Sequence, residues 1–159
     1  MKAATATIRA TRDFDIGVET LWAHWTSPET RARWEAGPDT GMAYDAFDTR
    51  TGGVEIVRLT HAGAEVGQMT QAHHRVEPPR LLATTTTGAF GGVTTMLMTL
   101  VIEFTDTRKG SRLSAVSQVI DLTGRDIRAE HEKGWTWILD RFQADLDAFG
   151  PVTNPKDTA

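Results

Sequence analysis

The sequence predicts an α+β fold in which a curved antiparallel sheet of about six to seven strands wraps one long C-terminal helix, with two short helices after the first strand. Three observations carry this. Residues from about 40 to 120 read as short alternating segments punctuated by glycine and proline turns. From Thr123 or Gly124 to Phe149, Trp135, Ile138, Leu139, Phe142, Leu146 and Phe149 fall within one arc at helical spacing. Threonine occurs 24 times, and its β-branched side chain favours strands over helices.

Residues 3–14 alternate small or apolar with polar side chains and form the first strand. Val18, Leu21, Trp22 and Trp25 then share one face of a short helix. Ser27-Pro28-Glu29 starts a second, with serine as cap, proline in the first turn and an acid against the helix dipole; Gly37-Pro38 stops it. Strands follow over 42–48, 54–60, 64–76, 81–87, 93–105 and 112–120. Their turns are Gly52-Gly53, Ala62-Gly63, Pro78-Pro79, the loop Gly88–Gly92 and Lys109-Gly110. Sequential hairpins make the sheet antiparallel, and the amphipathic helix buries its arc against the concave face. A bent sheet around one helix leaves a cavity between them.

The chain has 159 residues, which sets the expectation of one domain over 1–150 and a polar, disordered tail over 151–159. A net charge of −4 and the lack of a basic run argue against a nucleic-acid binder that works by phosphate neutralisation. The absence of cysteine excludes disulfides, thiolate nucleophiles and cysteine-ligated metal centres. No apolar run reaches the roughly 20 residues of a membrane span, and the N-terminus lacks a signal-peptide apolar region, so a cytoplasmic setting is expected.

Five segments resemble a known family: TSPETRARWEAGP (26–38), FDTRTGG (47–53), HRVEPPRLLATT (74–85), GSRLSAVSQ (110–118) and GWTWILDRF (134–142). In that order, across residues 5–149, they are similar to the START-like, or SRPBCC, superfamily. Within it they resemble the subgroup named for homology to the C-terminal domain of the activator of the heat-shock-protein-ninety ATPase. The resemblance implies a helix-grip fold with a hydrophobic cavity. It implies no particular reaction, since members range from lipid carriers to aromatase/cyclases.

Within that cavity the candidate ligand-binding residues are Trp34, Tyr44, Arg50, His74, Met98, His131, Trp135 and Ile138. Trp34 and Tyr44 are expected near its mouth, and His74 with Trp135 deeper in. Asp48, Arg50, Gly52 and Gly53 read first as a tight turn, although Arg50 at a cavity mouth would bind a carboxylate bidentately. His73 and His74 point to opposite faces of a regular strand; taking Val76 as inward places His74 inward and His73 in solvent. His131 lies four residues before Trp135 on the same helix face. GAFGG (88–92) lies between two strands, so it lacks the context of a phosphate-binding loop, and no Gly-x-Ser-x-Gly elbow supports a hydrolase triad. No His/Asp/Glu spacing matches a zinc or non-haem iron signature, so neither metal nor cofactor is expected. Trp137, beside Lys133 and Arg141, suggests a lid contact or a homodimer surface.

The expected function is binding of a small hydrophobic or amphipathic, apolar or aromatic ligand. A cyclase- or hydrolase-like enzyme using His74, Asp48 or Arg50 is the first alternative. A chaperone-associated stress-response protein, with a chaperone partner implied by the resemblance alone, is the second.

Overall fold

In a computed structural model that describes residues 2–37 and 39–152, the elements are β1 (Ala4–Phe14), α1 (Val18–Trp25), α2 (Pro28–Trp34), β2 (Thr40–Phe47), β3 (Val54–His61), β4 (Ala64–Glu77), β5 (Leu81–Phe90), β6 (Val93–Thr107), β7 (Gly110–Asp121) and α3 (Arg128–Phe149). Pro38 and the end of the polar tail, from residue 153 on, lie outside the described residues. The seven strands form one sheet in the order β1-β7-β6-β5-β4-β3-β2, every pair antiparallel. Hairpins link β2 through β7, so β1 and β2 are the two edges and α1–α2 carries the chain from one edge to the other. This is the helix-grip fold.

Two boundaries and the burial of one residue differ most from the sequence reading. Strand β5 continues through Phe90, which makes Gly88–Phe90 part of the sheet and shrinks the turn to Gly91 and Gly92, with φ +59° and +78°. Helix α3 begins at Arg128; Asp121 accepts hydrogen bonds from the backbone of Thr123 and Arg125, which holds the turn at 122–123 and keeps the segment after it out of the helix. Phe149 is 69% exposed instead of closing the apolar arc, with the Arg33 guanidinium 4.5 Å above its ring.

Register shifts interrupt four successive strand pairs, β2/β3 to β5/β6, with Asp45 of β2, Val66 and His74 of β4 and Thr95 of β6 as the inserted residues. Each inserted residue bends its strand and adds twist, so the β2–β5 half of the sheet curls. The core lies on the other side, where α3 meets β1, β7 and the short helices. Phe142 is fully buried at its centre, with ring centroids of Phe14, Trp25 and Trp34 each 5.2 Å away.

Polar bonds lock the helices around that cluster. His24 of α1 bonds Asp145 of α3 at 2.9 Å, and Arg33 of α2 donates to both oxygens of the same carboxylate at 2.7 and 2.8 Å. Arg141 donates to the carbonyls of Arg33 and Trp34, satisfying the end of α2.

Truncating Phe142 to alanine removes the shared contact of three elements, and we expect a loss of about 3–5 kcal/mol in urea denaturation. Burial holds the His24 imidazole below its ordinary value of 6.5, against the pull of Asp145. The unfolded chain therefore takes up a proton below about pH 6.5 that the folded chain refuses, so stability is present above that pH and falls on acidification. Asp145, held below 3.8 by Arg33 and His24 against burial, adds a further loss at lower pH. Replacing His24 with asparagine should flatten the limb that begins just below about pH 6.5, as read from the denaturation midpoint.

Candidate functional site

Helix α3 fits the sheet along part of its length. Leu139, Phe142 and Leu146 are buried, whereas His131, Gly134, Trp135 and Ile138 are half-buried and stand over the curled β2–β5 half. The space between holds a cavity of about 410 Å³. Its closed end is built by Trp25, Trp34, Leu82 and Ile102, each 5% exposed or less. Elsewhere the wall is formed by Met42, Leu59, Met69 and Met96, which are half-buried, and by the exposed Phe90. Methionine at 42, 69, 96 and 98 gives that wall long, unbranched, polarisable side chains.

One side of the cavity is ionic. Arg31, 9% exposed, donates to Glu35 at 2.8 and 3.3 Å and lies 3.3 Å from Glu55. Its guanidinium also stands 5.8 Å from the Trp34 ring and 5.5 Å from that of Phe47. Glu55, 3% exposed, pairs with His73 Nε2 at 2.9 Å and accepts from the Thr49 hydroxyl at 2.9 Å. Tyr44 donates to Glu35 at 2.9 Å. Burial alone would raise the Glu55 carboxyl; the bond from His73, the charge of Arg31 and the bond from Thr49 outweigh it and hold it below the usual range. Burial, with Glu35 alongside, pushes the Tyr44 phenol up, so it stays a donor. Burial opposes the Arg31 charge, but Glu35 and Glu55 on either side more than restore it.

The turn between β2 and β3 sets this side in place. Gly52 N–H donates to the His73 carbonyl at 2.8 Å, and His73 N–H donates to the Gly53 carbonyl at 3.0 Å. Gly52 takes φ +84°, and a side chain at Gly53 would run into the Asp48 carbonyl oxygen. Arg50 bonds Asp48 at 2.8 Å across the turn, with its side chain 79% exposed. The Asp48–Gly53 segment is thus a clamp on the backbone of His73.

Of the eight residues expected at the cavity, the structure brings Trp34, Tyr44, Met98, His131, Trp135 and Ile138 to its wall. Trp34, however, is 1% exposed and belongs to the closed end, not the mouth. Arg50 and His74 are corrected: both face solvent, and His74 bonds the Thr85 hydroxyl at 2.7 Å on the outer face. The histidine pair is reversed because the bulge between His73 and Arg75 breaks the alternation, so counting back from inward Val76 lands on the wrong residue. His73 is the inward one, 2% exposed. His74, Asp48 and Arg50, the residues named for the enzyme alternative, do not line this cavity. The residues missed, Arg31, Glu35 and Glu55, carry a usable signal: Arg31 and Glu35 are a helical i,i+4 pair, and Glu55 shares the β3 face of Val57 and Leu59. Trp137 is 37% exposed with Arg141 stacked on it at 5.1 Å. Since Arg141 also bonds the end of α2, Trp137 is tied to the short helices.

Among the described residues no three His, Asp or Glu side chains gather in a metal-holding arrangement, and no helix is long and apolar enough to cross a membrane.

A bent antiparallel sheet holding a partly lifted C-terminal helix over a cavity defines a START-like, SRPBCC-type protein. The family profile described as "Activator of Hsp90 ATPase homolog 1-like protein" matches residues 15–147, and the chain belongs to that family. A protein from Rhizobium loti of known crystal structure is 22% identical with a TM-score of 0.81, over 92% of this chain and 100% of that one. An uncharacterised protein from Rhizobium leguminosarum is 19% identical with a TM-score of 0.77, over 92% and 97%. An AHSA1-like protein from Aeromonas hydrophila is 22% identical with a TM-score of 0.67, over 91% and 94%. These likenesses establish the fold. No curated protein matches the chain.

Removing the Glu55 carboxylate strands Arg31 and His73 in the interior. We expect Glu55→Ala to cost about 3–5 kcal/mol in chemical denaturation. A value below about 1 kcal/mol would show that water already solvates the pair.

Proposed function

We propose that this protein binds a small hydrophobic or amphipathic ligand between sheet and α3. The observation that carries the reading is a cavity of about 410 Å³ with an apolar, methionine-rich wall and a buried ionic side. That volume lies within the roughly 300–1,000 Å³ of small-molecule pockets, room for a molecule of up to three rings. A pocket with an apolar body and a few fixed polar groups suits such a molecule. Homodimerisation and a cytoplasmic setting belong to the same proposal, supported by the exposed Trp137 and by an acidic chain without cysteine. A chaperone partner is supported by the family's description alone.

Gly134 supplies the test. It lines the cavity from mid-helix, and a Cβ built there meets nothing within 4 Å. Gly134→Leu should therefore raise stability by about 0.5–1 kcal/mol through helix propensity while filling the cavity. Wild type should bind a neutral apolar fluorophore such as N-phenyl-1-naphthylamine, and the variant should lose that binding at least tenfold. Equal binding by both would place the probe elsewhere and sink the reading. Native mass spectrometry of freshly purified protein should show a co-purifying small molecule that the variant lacks.

A further inference from the structure

We propose that the cavity selects ligands whose polar end is a protonated amine and rejects carboxylic acids of the same size; this rests on the reading of the cavity as a binding site. Charge balance is the first ground. The ionic side holds two carboxylates, Glu35 and Glu55, on either side of the single guanidinium of Arg31. Arg31 is the cation that an acid would need, and it is already engaged by both carboxylates and covered by the Trp34 and Phe47 rings. A ligand carboxylate would add a third negative charge beside these two in a place that water reaches poorly, whereas an ammonium group is attracted by both.

Unpartnered polar atoms are the second ground. His73 and Thr84 are directly opposite each other on β4 and β5, both line the cavity, and they are 2% and 4% exposed. Neither Nδ1 of His73 nor the Thr84 hydroxyl has a hydrogen-bond partner in the protein. Buried polar groups are rarely left so. An ammonium group offers three donors to a wall that presents the Thr84 oxygen and the remaining lone pairs of Glu35 and Glu55 as acceptors.

The test is displacement of N-phenyl-1-naphthylamine from the full chain at pH 7.5 by 4-phenylbutylamine, 4-phenylbutanol and 4-phenylbutanoate, which share one tail. The amine should compete at least tenfold better than the acid, with the alcohol between. In Glu35→Gln the amine-to-acid ratio should fall about tenfold, while Tyr44→Phe, which leaves the charge unchanged, should keep it. If the fluorophore binds but the acid equals or outcompetes the amine, the selectivity is refuted and the cavity reading stands. If neither the fluorophore nor any member of the series binds, the cavity reading itself falls. A ratio unchanged in Glu35→Gln would overturn the assignment to this ionic side. Should that variant fail to fold, the wild-type ratio decides alone.

Discussion

A straight helix cannot stay in contact with a sheet that curls away from it, and most of this structure follows from that mismatch. Where the sheet is regular, along β1 and β7, the C-terminal half of α3 is buried through Leu139, Phe142 and Leu146. Where bulges curl β2 to β5, the N-terminal half stands clear, and Gly134 offers no side chain to fill the gap. The void is thus a geometric consequence of bulge placement on one side and tight packing on the other. The short helices then serve two ends at once. They roof the Phe142 cluster through Trp25 and Trp34, and those same rings form the closed wall of the cavity.

The interior ions follow a related logic. Taking a carboxylate and a guanidinium out of water costs several kcal/mol each, and a well-packed apolar pair would often serve stability as well or better. Two such networks nevertheless sit inside the protein, and they differ in what surrounds them. The His24–Asp145–Arg33 group joins three helices and is enclosed by packing, so its role is to fix their mutual positions. The Arg31–Glu35–Glu55–His73 group borders empty space, with unpartnered His73 and Thr84 atoms beside it. His24 Nδ1 is likewise without a partner, but packing encloses it, whereas the second network lines the cavity.

The sheet and α3 were legible because they rest on periodicity: alternation in the strands, and a 3.6-residue arc in the helix. The ionic side was not, and His73 shows why. Its inward direction depends on a bulge that nothing in the sequence around His73-His74-Arg75 announces. Two backbone hydrogen bonds to a turn some twenty residues earlier help hold that region. Gly52 and Gly53 were readable as a tight turn, but not as a clamp on another strand. Arg31 and Glu55 could be placed on their own faces by spacing alone. Their meeting at 3.3 Å depends on α2 crossing the β3 side of the sheet, a tertiary fact. Arg50 and Asp48 drew attention by chemistry and turned out to hold the turn that positions the residue that matters.

Structural neighbours at 19–22% identity share the scaffold, so the fold alone does not set the character of this cavity; its inward side chains do. In this chain those positions divide into two kinds. The methionines at 42, 69, 96 and 98 can repack around tails of different shape at little cost. Glu55, His73 and Thr84 stand on adjacent strands in fixed register, and the turn clamp holds His73 against sliding, so their polar atoms cannot follow a badly placed partner. On the proposed reading of the cavity, an adaptable wall contributes affinity for many apolar bodies, while fixed polar groups discriminate among head groups, because a mismatch leaves buried groups unpaired. That reading puts specificity on the β3–β5 side of the cavity and tolerance on the methionine side.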